Sequence, residues 1–262
     1  MRAVARTTAN LIGAHVAGIV DAHFHLGTCR VFDADVDEDR LLATQDAHGI
    51  GVSIVQPYPG APDAAAAHDR IAALARSTAG RVVGLASLSP HVDADAYFAE
   101  VSRCVRELGF VGVKLHTIGH AVNPRGRDAE KVFETARQLD IPVMVHTGPG
   151  VPFADPAQVV PRLRQFPEVT VVLAHAGAGI FTGSAIAVAE TFDNVVLETS
   201  WCRAPDLAAM VAALGPDRVL FGSDHPYNAG AELAKYRSGL LTDVQLTRVL
   251  GGAARDVFAL AD

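Results

Sequence analysis

Residues 128–148 read DAEKVFETARQLDIPVMVHTG, a helix-like segment that leads directly into a short apolar run. In its first half Val132, Phe133, Ala136 and Leu139 recur at helical spacing behind an acidic start at Asp128, which is typical of a helix with one buried face. The second half is nearly continuously apolar, as expected for a parallel strand that is covered on both faces. The stretch therefore predicts one helix–strand step of an α/β fold.

Seven further apolar runs of this kind occur along the chain. With residues 141–148, the eight runs are GIVDAHFHL, GVSIVQP, VVGLASLSP, FVGVKLHT, IPVMVHTG, VTVVLAHAG, NVVLETS and RVLFGSDHP. The intervals between them have room for a crossover helix and carry helix-like periodicity. We therefore predict an α/β protein with a (β/α)8 TIM barrel that forms a single domain over residues 1–262. A doubly wound open sheet is the alternative, but no Gly-x-Gly-x-x-Gly follows the first run.

The composition indicates a globular protein with a small-molecule substrate. Of 262 residues 50% are hydrophobic and 19% are charged, which provides a sizeable core without a long polar tract. A formal net charge of -7 without basic clusters argues against nucleic acid or a membrane surface as partner.

No apolar run is long enough for a membrane span and no signal-peptide pattern is present, so we expect a cytoplasmic protein. A homodimer is left open. The three cysteines, at wide spacings, predict neither a disulfide framework nor a thiolate zinc site.

Polar residues follow the predicted strands at their carboxyl ends, where the loops of a barrel bring catalytic groups together. His23 and His25 share one face of the first strand, because residues i and i+2 point to the same side. The other strand ends contribute Lys114, His116, His146, His175, Glu198 and Asp224. The sequence therefore predicts that residues from most of the strands meet at one rim.

These residue types suit a site for one divalent metal ion. Neutral imidazoles and a carboxylate bind zinc-like ions, so we expect His23, His25, His146 and Asp224 to be ligands, with Zn as the ion and Mn, Fe or Co as alternatives. A bound ion lowers the pKa of its water to about 7, and Asp224 would then accept the water's proton. His175 is a further ligand, a general base or a donor to a substrate carbonyl, and we favour base or donor.

The motifs DAHFHLG, GVKLHT, VHTG, LAHAG and GSDHP, in this order, resemble the amidohydrolase superfamily and its amidohydrolase-related branch of aminocarboxymuconate-semialdehyde decarboxylase-like enzymes. The tail LTRVLGGAARDVFAL is similar to the closing helix of that branch, so the resemblance covers nearly the whole chain. It implies metal ligation by His23, His25, His146 and Asp224, with His175 in proton transfer or substrate polarisation.

Three positions depart from that branch. Thr117 stands where Pro often follows Lys-Leu-His, His225 stands where an aromatic residue often separates the final Asp from Pro, and Ala253 stands where Asn commonly follows the paired glycines. The implied ligands are unaffected by these departures. The loops that contact substrate differ, however, so the resemblance leaves the substrate class open.

Lys114, His116 and Arg203 are predicted to contact substrate. Lys114 matches the place where two-metal relatives carry a carbamylated lysine, but we prefer an unmodified lysine and one metal. A packed His116 and an exposed Arg203 are the alternative interpretations. Glu198, which either orients a ligand or caps the barrel mouth, is left outside the predicted site. Trp201 is expected to form an apolar wall of the substrate pocket.

The remaining histidines lie in predicted helices or loops without partners at the strand ends. We expect surface or local capping positions for His15, His48, His68, His91 and His120.

The leading functional hypothesis is a metal-dependent hydrolase of a small amide, lactone or ester, acting through metal-bound hydroxide. A nonoxidative metal-dependent decarboxylase is the alternative. It is ranked second because such decarboxylases generally carry longer loop insertions than 262 residues allow. A noncatalytic binding barrel ranks third, since it should have lost at least one ligand.

Overall fold

The computed structural model describes residues 18–31 and 33–261, which form a barrel of parallel strands. In chain order the strands are β1 (Ile19–Cys29), β2 (Ala34–Val36), β3 (Ile50–Pro57), β4 (Val82–Gly84), β5 (Ala86–Ser87), β6 (Val113–Leu115), β7 (Val143–His146), β8 (Val171–Ala174), β9 (Val195–Glu198) and β10 (Val219–Leu220). The third predicted strand is divided into β4 and β5 at Leu85. β2 is a short addition that pairs antiparallel with the end of β1.

Backbone hydrogen bonds close the ring of strands. The two ladders run β2-β1-β3-β4 and β10-β9-β8-β7-β6-β5. They are joined where Val111 N donates to Gly84 O at 3.0 Å, and again where Ala22 N donates to Phe221 O at 3.0 Å. With β4 and β5 counted as one strand, eight parallel strands surround the core. The predicted (β/α)8 barrel is therefore confirmed.

Helices follow the barrel strands as the sequence pattern indicates. They are α1 (Glu38–His48), α2 (Ala64–Ser77), α3 (Ala94–Arg106), α4 (Arg127–Leu139), α5 (Val160–Gln165), α6 (Thr182–Thr191), α7 (Ala204–Leu214), α8 (Ala229–Tyr236), α9 (Asp243–Thr247) and α10 (Ala253–Val257). Helix α4 is the one predicted at residues 128–140, and it buries Val132, Phe133 and Ala136. Within the described part of the chain, no helix is both long and apolar enough to cross a bilayer.

The apolar side chains form two layers, one inside the barrel and one between the strands and the helices. Alternation along the strands produces both layers, because Met144 fills the interior while its neighbours Val143 and Val145 pack outward. The interior layer also includes Ala254 of α10. Residues 1–17 of the predicted single domain lie outside the described residues.

Candidate metal centre

Three predicted ligands meet at the carboxyl-terminal rim of the barrel. His23 and His25 extend from β1, and Asp224 follows β10. The two Nε2 atoms are 3.2 Å apart, and Asp224 Oδ1 lies 3.3 Å from the first and 3.4 Å from the second. All three side chains are buried or nearly so. The spacing of three ligand atoms around one point suits a single metal ion.

The hydrogen-bond partners of the two histidines assign their tautomers. His23 Nδ1 lies 2.8 Å from Glu198 Oε2, and His25 Nδ1 lies 3.2 Å from Pro57 O. Both partners are acceptors, so each neutral ring carries its hydrogen on Nδ1 and directs a lone pair from Nε2. Burial, the largest cause, holds the pKa of both histidines well below the usual value, which favours the neutral form. Two lone pairs and a carboxylate oxygen therefore face one another, an arrangement that a cation stabilises.

Two donors lie within hydrogen-bond distance of the same nitrogens. Lys114 Nζ lies 3.0 Å from His23 Nε2, and Gln56 Nε2 lies 3.2 Å from His25 Nε2. Lys114 is fully buried, and burial lowers its pKa to about 8 although Asp224 and Glu198 act in the opposite direction. Lys114 thus contacts the ligand cluster through His23. This contact is compatible with an unmodified lysine that supports the ligands and with a carbamylated one.

Glu198 orients His23 from behind the cluster. Its two carboxylate oxygens accept from His23 Nδ1, from the backbone N–H of His175 and from both the N–H and the hydroxyl of Ser200. Burial raises the pKa of Glu198, and these donors oppose the rise. Of the two sequence interpretations, the structure gives Glu198 the orienting contact. The signal was its place at the end of a strand beside the other site residues.

Asp21 was missed by sequence reasoning although it lies two residues before His23. Its carboxylate accepts from the N–H and the hydroxyl of Ser223 and from the N–H of His23. Burial raises its pKa to about 7, against these hydrogen bonds. Asp21 thereby ties β1 to the segment that carries Asp224, and an acid inside an apolar run was the signal available in the sequence.

His146 and His175 stand together on the neighbouring strands. His175 Nε2 lies 3.1 Å from His146 Nδ1, and His175 Nδ1 lies 2.7 Å from Ser200 Oγ. Because the Ser200 hydroxyl donates to Glu198, it accepts from His175 Nδ1, and Nε2 of the neutral ring is an acceptor. His146 Nε2 is buried and has no hydrogen-bond partner among the described residues. Its role as a fourth ligand stays a prediction.

Trp201 contacts Asp224 with its polar group. The indole Nε1 donates to Asp224 Oδ2 at 2.7 Å, while the residue remains 44% exposed. One carboxylate oxygen of Asp224 thus faces the histidines and the other accepts from the indole. Besides its expected place in the wall of the pocket, Trp201 positions a predicted ligand.

A cavity of about 420 Å³ opens beside the cluster. Its lining includes His25, Tyr58, His116, His146, His175, Trp201, Asp224 and His225. His116 stacks on His146 with the ring centroids 4.2 Å apart, and its Nδ1 accepts from Gly119 N. Of the residues predicted to contact substrate, His116 lines the cavity, whereas Arg203 does not.

The guanidinium of Arg203 makes two hydrogen bonds to the carboxylate of Asp206, at 2.8 and 2.9 Å, and its side chain is 73% exposed. This pair lies at the start of α7. A substrate contact by Arg203 stays a prediction that this geometry does not support.

The expectation of a surface or local capping position is wrong for His68, and its surface alternative is wrong for His120. His68 is fully buried, with Nδ1 2.7 Å from Glu100 Oε1 and Nε2 accepting from Ser87 N. His120 is 5% exposed and accepts from His116 N. The partners of His68 come from distant elements, whereas the partner of His120 is four residues away in the turn after β6. His91 is half-exposed beside Asp128, as expected, and His15 lies outside the described residues.

The chain has a curated relative with a known reaction. It is 26% identical over 169 residues to the 2-keto-4-carboxy-3-hexenedioate hydratase of Sphingobium sp. (strain NBRC 103272 / SYK-6). The alignment covers 52% of this chain and 50% of the hydratase. The chain therefore matches about half the length of that relative.

Solved structures share the fold, and a family model covers nearly the whole chain. The 5-carboxyvanillate decarboxylase of Novosphingobium aromaticivorans, solved with manganese and 4-hydroxy-3-methoxy-5-nitrobenzoic acid, superposes with a TM-score of 0.75 at 16% identity, over 95% of this chain and 97% of that one. The 2,6-dihydroxybenzoate decarboxylase of Rhizobium gives 0.74 at 18% identity, over 93% and 99%. The model of the amidohydrolase family matches residues 8–260. This chain belongs to the amidohydrolase family.

Proposed function

We propose that the chain is a divalent-metal-dependent lyase that acts on a small carboxylate, by releasing CO2 or by adding or removing water. The observation that carries this proposal is the convergence of His23 Nε2, His25 Nε2 and Asp224 Oδ1 on one point beside the cavity. The activities named for the hydratase and for both decarboxylases support the reaction class. They are the reason for placing a lyase ahead of the hydrolase that the sequence favours.

The donor set fits a divalent cation. When bound, the ion supplies a Lewis acid that withdraws electrons from a substrate oxygen. His23, His25 and Asp224 would hold it, and the unpartnered Nε2 of His146 supports that residue as the fourth ligand. Mixed imidazole and carboxylate sets accept several ions. Manganese in the N. aromaticivorans decarboxylase supports Mn as a candidate ion beside Zn.

His175 is the proton carrier of the proposed reaction. Burial, the largest cause, keeps its pKa well below the usual value, so the resting ring is neutral. His175 Nδ1 donates to the Ser200 hydroxyl, which donates to Glu198, so Nε2 is the acceptor of a ring that lines the cavity. In this structure that Nε2 lies 3.1 Å from His146 Nδ1. Nε2 can take a proton from water or from a substrate hydroxyl and return it to carbon.

A hydrolase of a small amide, lactone or ester is the second candidate, and one observation favours it. None of the described residues that line the cavity is Arg or Lys. A substrate with several carboxylates would find few positive partners there, whereas a neutral carbonyl compound would need none. Asp224 would serve as the base in that reaction, although its Oδ2 already accepts from Trp201.

The test compares two substrate panels with one protein. Metal-stripped protein is reloaded with Mn²⁺ or Zn²⁺ and given small conjugated carboxylates, with CO2 release and loss of ultraviolet absorbance as readouts. Esters, lactones and amides are tested in parallel by proton release. We expect metal-dependent turnover of a carboxylate, and we expect His175→Asn to bind metal normally while losing about 10²-fold or more in turnover.

Each outcome separates the candidates. Turnover confined to esters, lactones or amides overturns the lyase and favours the hydrolase. Full activity of a protein shown by elemental analysis to hold no metal overturns both. A His175→Asn protein that loses its metal would instead make His175 a ligand.

A further inference from the structure

We propose that His225 is a substrate-binding residue, which presents an Nε2–H donor to a substrate oxygen and is held in that tautomer by Tyr58. The inference rests on the proposed function, since it assigns the position of a second substrate oxygen beside the metal centre. It concerns a residue at which this chain departs from the branch that it resembles.

The hydrogen bond between Tyr58 Oη and His225 Nδ1, 2.7 Å long, determines where the imidazole carries its hydrogen. A phenol has one hydrogen to donate. Tyr58 is 2% exposed, and within the described ranges its hydroxyl has no other hydrogen-bond partner. A buried hydroxyl that fails to donate loses its hydration without compensation. The hydroxyl therefore donates to Nδ1, and the neutral ring of His225 carries its hydrogen on Nε2.

Among residues 18–31 and 33–261, none offers the Nε2–H group an acceptor within hydrogen-bond distance. Asp224 Oδ2 lies 3.7 Å from it, beyond hydrogen-bond distance, and already accepts from Trp201 Nε1 at 2.7 Å. The rings of His225 and His25 are 6.2 Å apart between centroids, and both line the cavity. An oxygen of a molecule bound beside His25 is the acceptor that this donor lacks.

Stacked rings hold the donor in place. Tyr227 stacks on His225, with the ring centroids 4.9 Å apart and an angle of 13° between the ring planes. Tyr58 stacks on His25 in the same way, with a centroid distance of 4.8 Å and an interplanar angle of 13°. Because Tyr58 contacts both histidines, the position of the donor is fixed relative to a metal ligand. A carboxylate with a hydroxyl or keto group on the adjacent carbon would fill both positions, with the carboxylate at the metal and the second oxygen at His225.

The first experiment reads the tautomer directly. Long-range ¹H–¹⁵N NMR of the zinc-loaded protein distinguishes Nδ1–H from Nε2–H, and His225→Phe identifies the signals. We expect Nε2–H in the wild type and loss of this single tautomer in Tyr58→Phe. Tyr227→Phe is the matched control, because it removes a hydroxyl from the ring that stacks on His225 without hydrogen bonding to it, and it should keep Nε2–H. A wild-type His225 with its hydrogen on Nδ1 overturns the proposal.

The second experiment measures recognition of the second oxygen. Benzoate and 2-hydroxybenzoate are titrated calorimetrically into zinc-loaded protein, and we expect tighter binding of 2-hydroxybenzoate. This preference should fall about 3- to 10-fold in His225→Phe and in Tyr58→Phe, as for one lost hydrogen bond, with metal content unchanged. An unchanged preference in both variants overturns the proposal. If neither ligand binds the wild type, the proposed carboxylate substrate fails, while the tautomer still decides the role of His225.

Discussion

Buried acids that face away from the cavity determine the orientation of the candidate ligands. Glu198 accepts from His23 Nδ1, and Asp21 accepts from the N–H of His23 and from Ser223, next to Asp224. Each carboxylate is fully buried, and burial raises the pKa of both. Their hydrogen bonds offset the cost of desolvation. The lone pair of His23 Nε2 therefore points at Asp224 because of groups that are not part of the cavity lining.

We predict that Glu198→Gln weakens metal binding while the barrel stays folded. The amide offers one acceptor oxygen in place of two and a donor in place of the other, so His23 is no longer held with its hydrogen on Nδ1. The dissociation constant for Zn²⁺ or Mn²⁺, measured by chelator competition, should rise about 10- to 100-fold.

Glu232→Gln is the matched control for this prediction. Glu232 is also buried, but it accepts from Trp201 N and Asn228 rather than from His23. Its metal affinity should match that of the wild type. Equal affinities for Glu198→Gln and wild type, with native circular dichroism, would contradict the orienting role of Glu198.

The candidate site was predictable as a set of residue types but only in part as a set of contacts. His23, His25 and Asp224 were identifiable because they end apolar runs that must meet at one rim. Their partners were not, since the contact of Trp201 with Asp224 depends on distances between strands. For Arg203, the sequence did offer the partner, because Asp206 lies three residues later in the first turn of α7, but this ion pair was overlooked.

At the level of elements, the turn after β8 has an uncommon backbone. His175, Ala176, Gly177, Ala178 and Gly179 all have positive φ, between 40° and 80°. For residues with a Cβ this conformation costs about 1–2 kcal/mol each. The turn places His175 beside the cavity, so strain is concentrated where the proposed chemistry occurs.

We predict that Ala178→Gly stabilises the protein. Ala178 has φ 50° and ψ 48° and is only partly buried, so glycine relieves the strain at little cost in packing. The greater freedom of glycine in the unfolded chain offsets about 0.5–1 kcal/mol of the gain. The melting temperature should therefore rise by about 1–3 °C.

Ala187→Gly, at an exposed position inside α6, is the control for Ala178→Gly, and it should lower the melting temperature. A fall in both variants would mean that the turn after β8 is not strained.

Strand positions were the most predictable part of the fold, because continuous apolar runs alternate with helical periodicity. The lengths of the strands were less predictable than their positions. The run at residues 218–226 forms a ladder with β9 only over Val219–Leu220. Beyond it, Phe221 and Asp224 form single backbone hydrogen bonds with β1 as the chain reaches the rim. Asp224 there has a φ of 66°, which no periodicity reveals.

For the molecule as a whole, the number of buried histidines links stability to pH. Burial, the largest cause in each case, lowers the pKa of eight of them: His23, His25, His68, His116, His120, His146, His175 and His225. For His120 the value falls to about 3. In the unfolded chain these rings titrate near their usual value of about 6.5. Below that pH the unfolded state therefore binds more protons than the folded state.

We predict that the metal-free protein loses stability steeply as the pH falls below about 6.5, and loses less between pH 7.5 and 6.5, where the unfolded rings are at most half protonated. Each histidine that is protonated only on unfolding lowers the free energy of unfolding by about 1.4 kcal/mol for each pH unit well below 6.5. Several such histidines together can therefore offset the whole stability of an ordinary protein, which is about 5–15 kcal/mol. Urea midpoints at pH 7.5, 6.5 and 5.5, in chelator, measure the effect.

The variant His120→Asn keeps an acceptor for His116 N but removes one titrating ring. The slope of its free energy of unfolding against pH, below pH 6.5, should therefore be shallower by about one proton. Midpoints that stay constant down to pH 5.5 would mean that the buried rings are already protonated in the folded state, which would remove the lone pairs that the candidate metal centre requires.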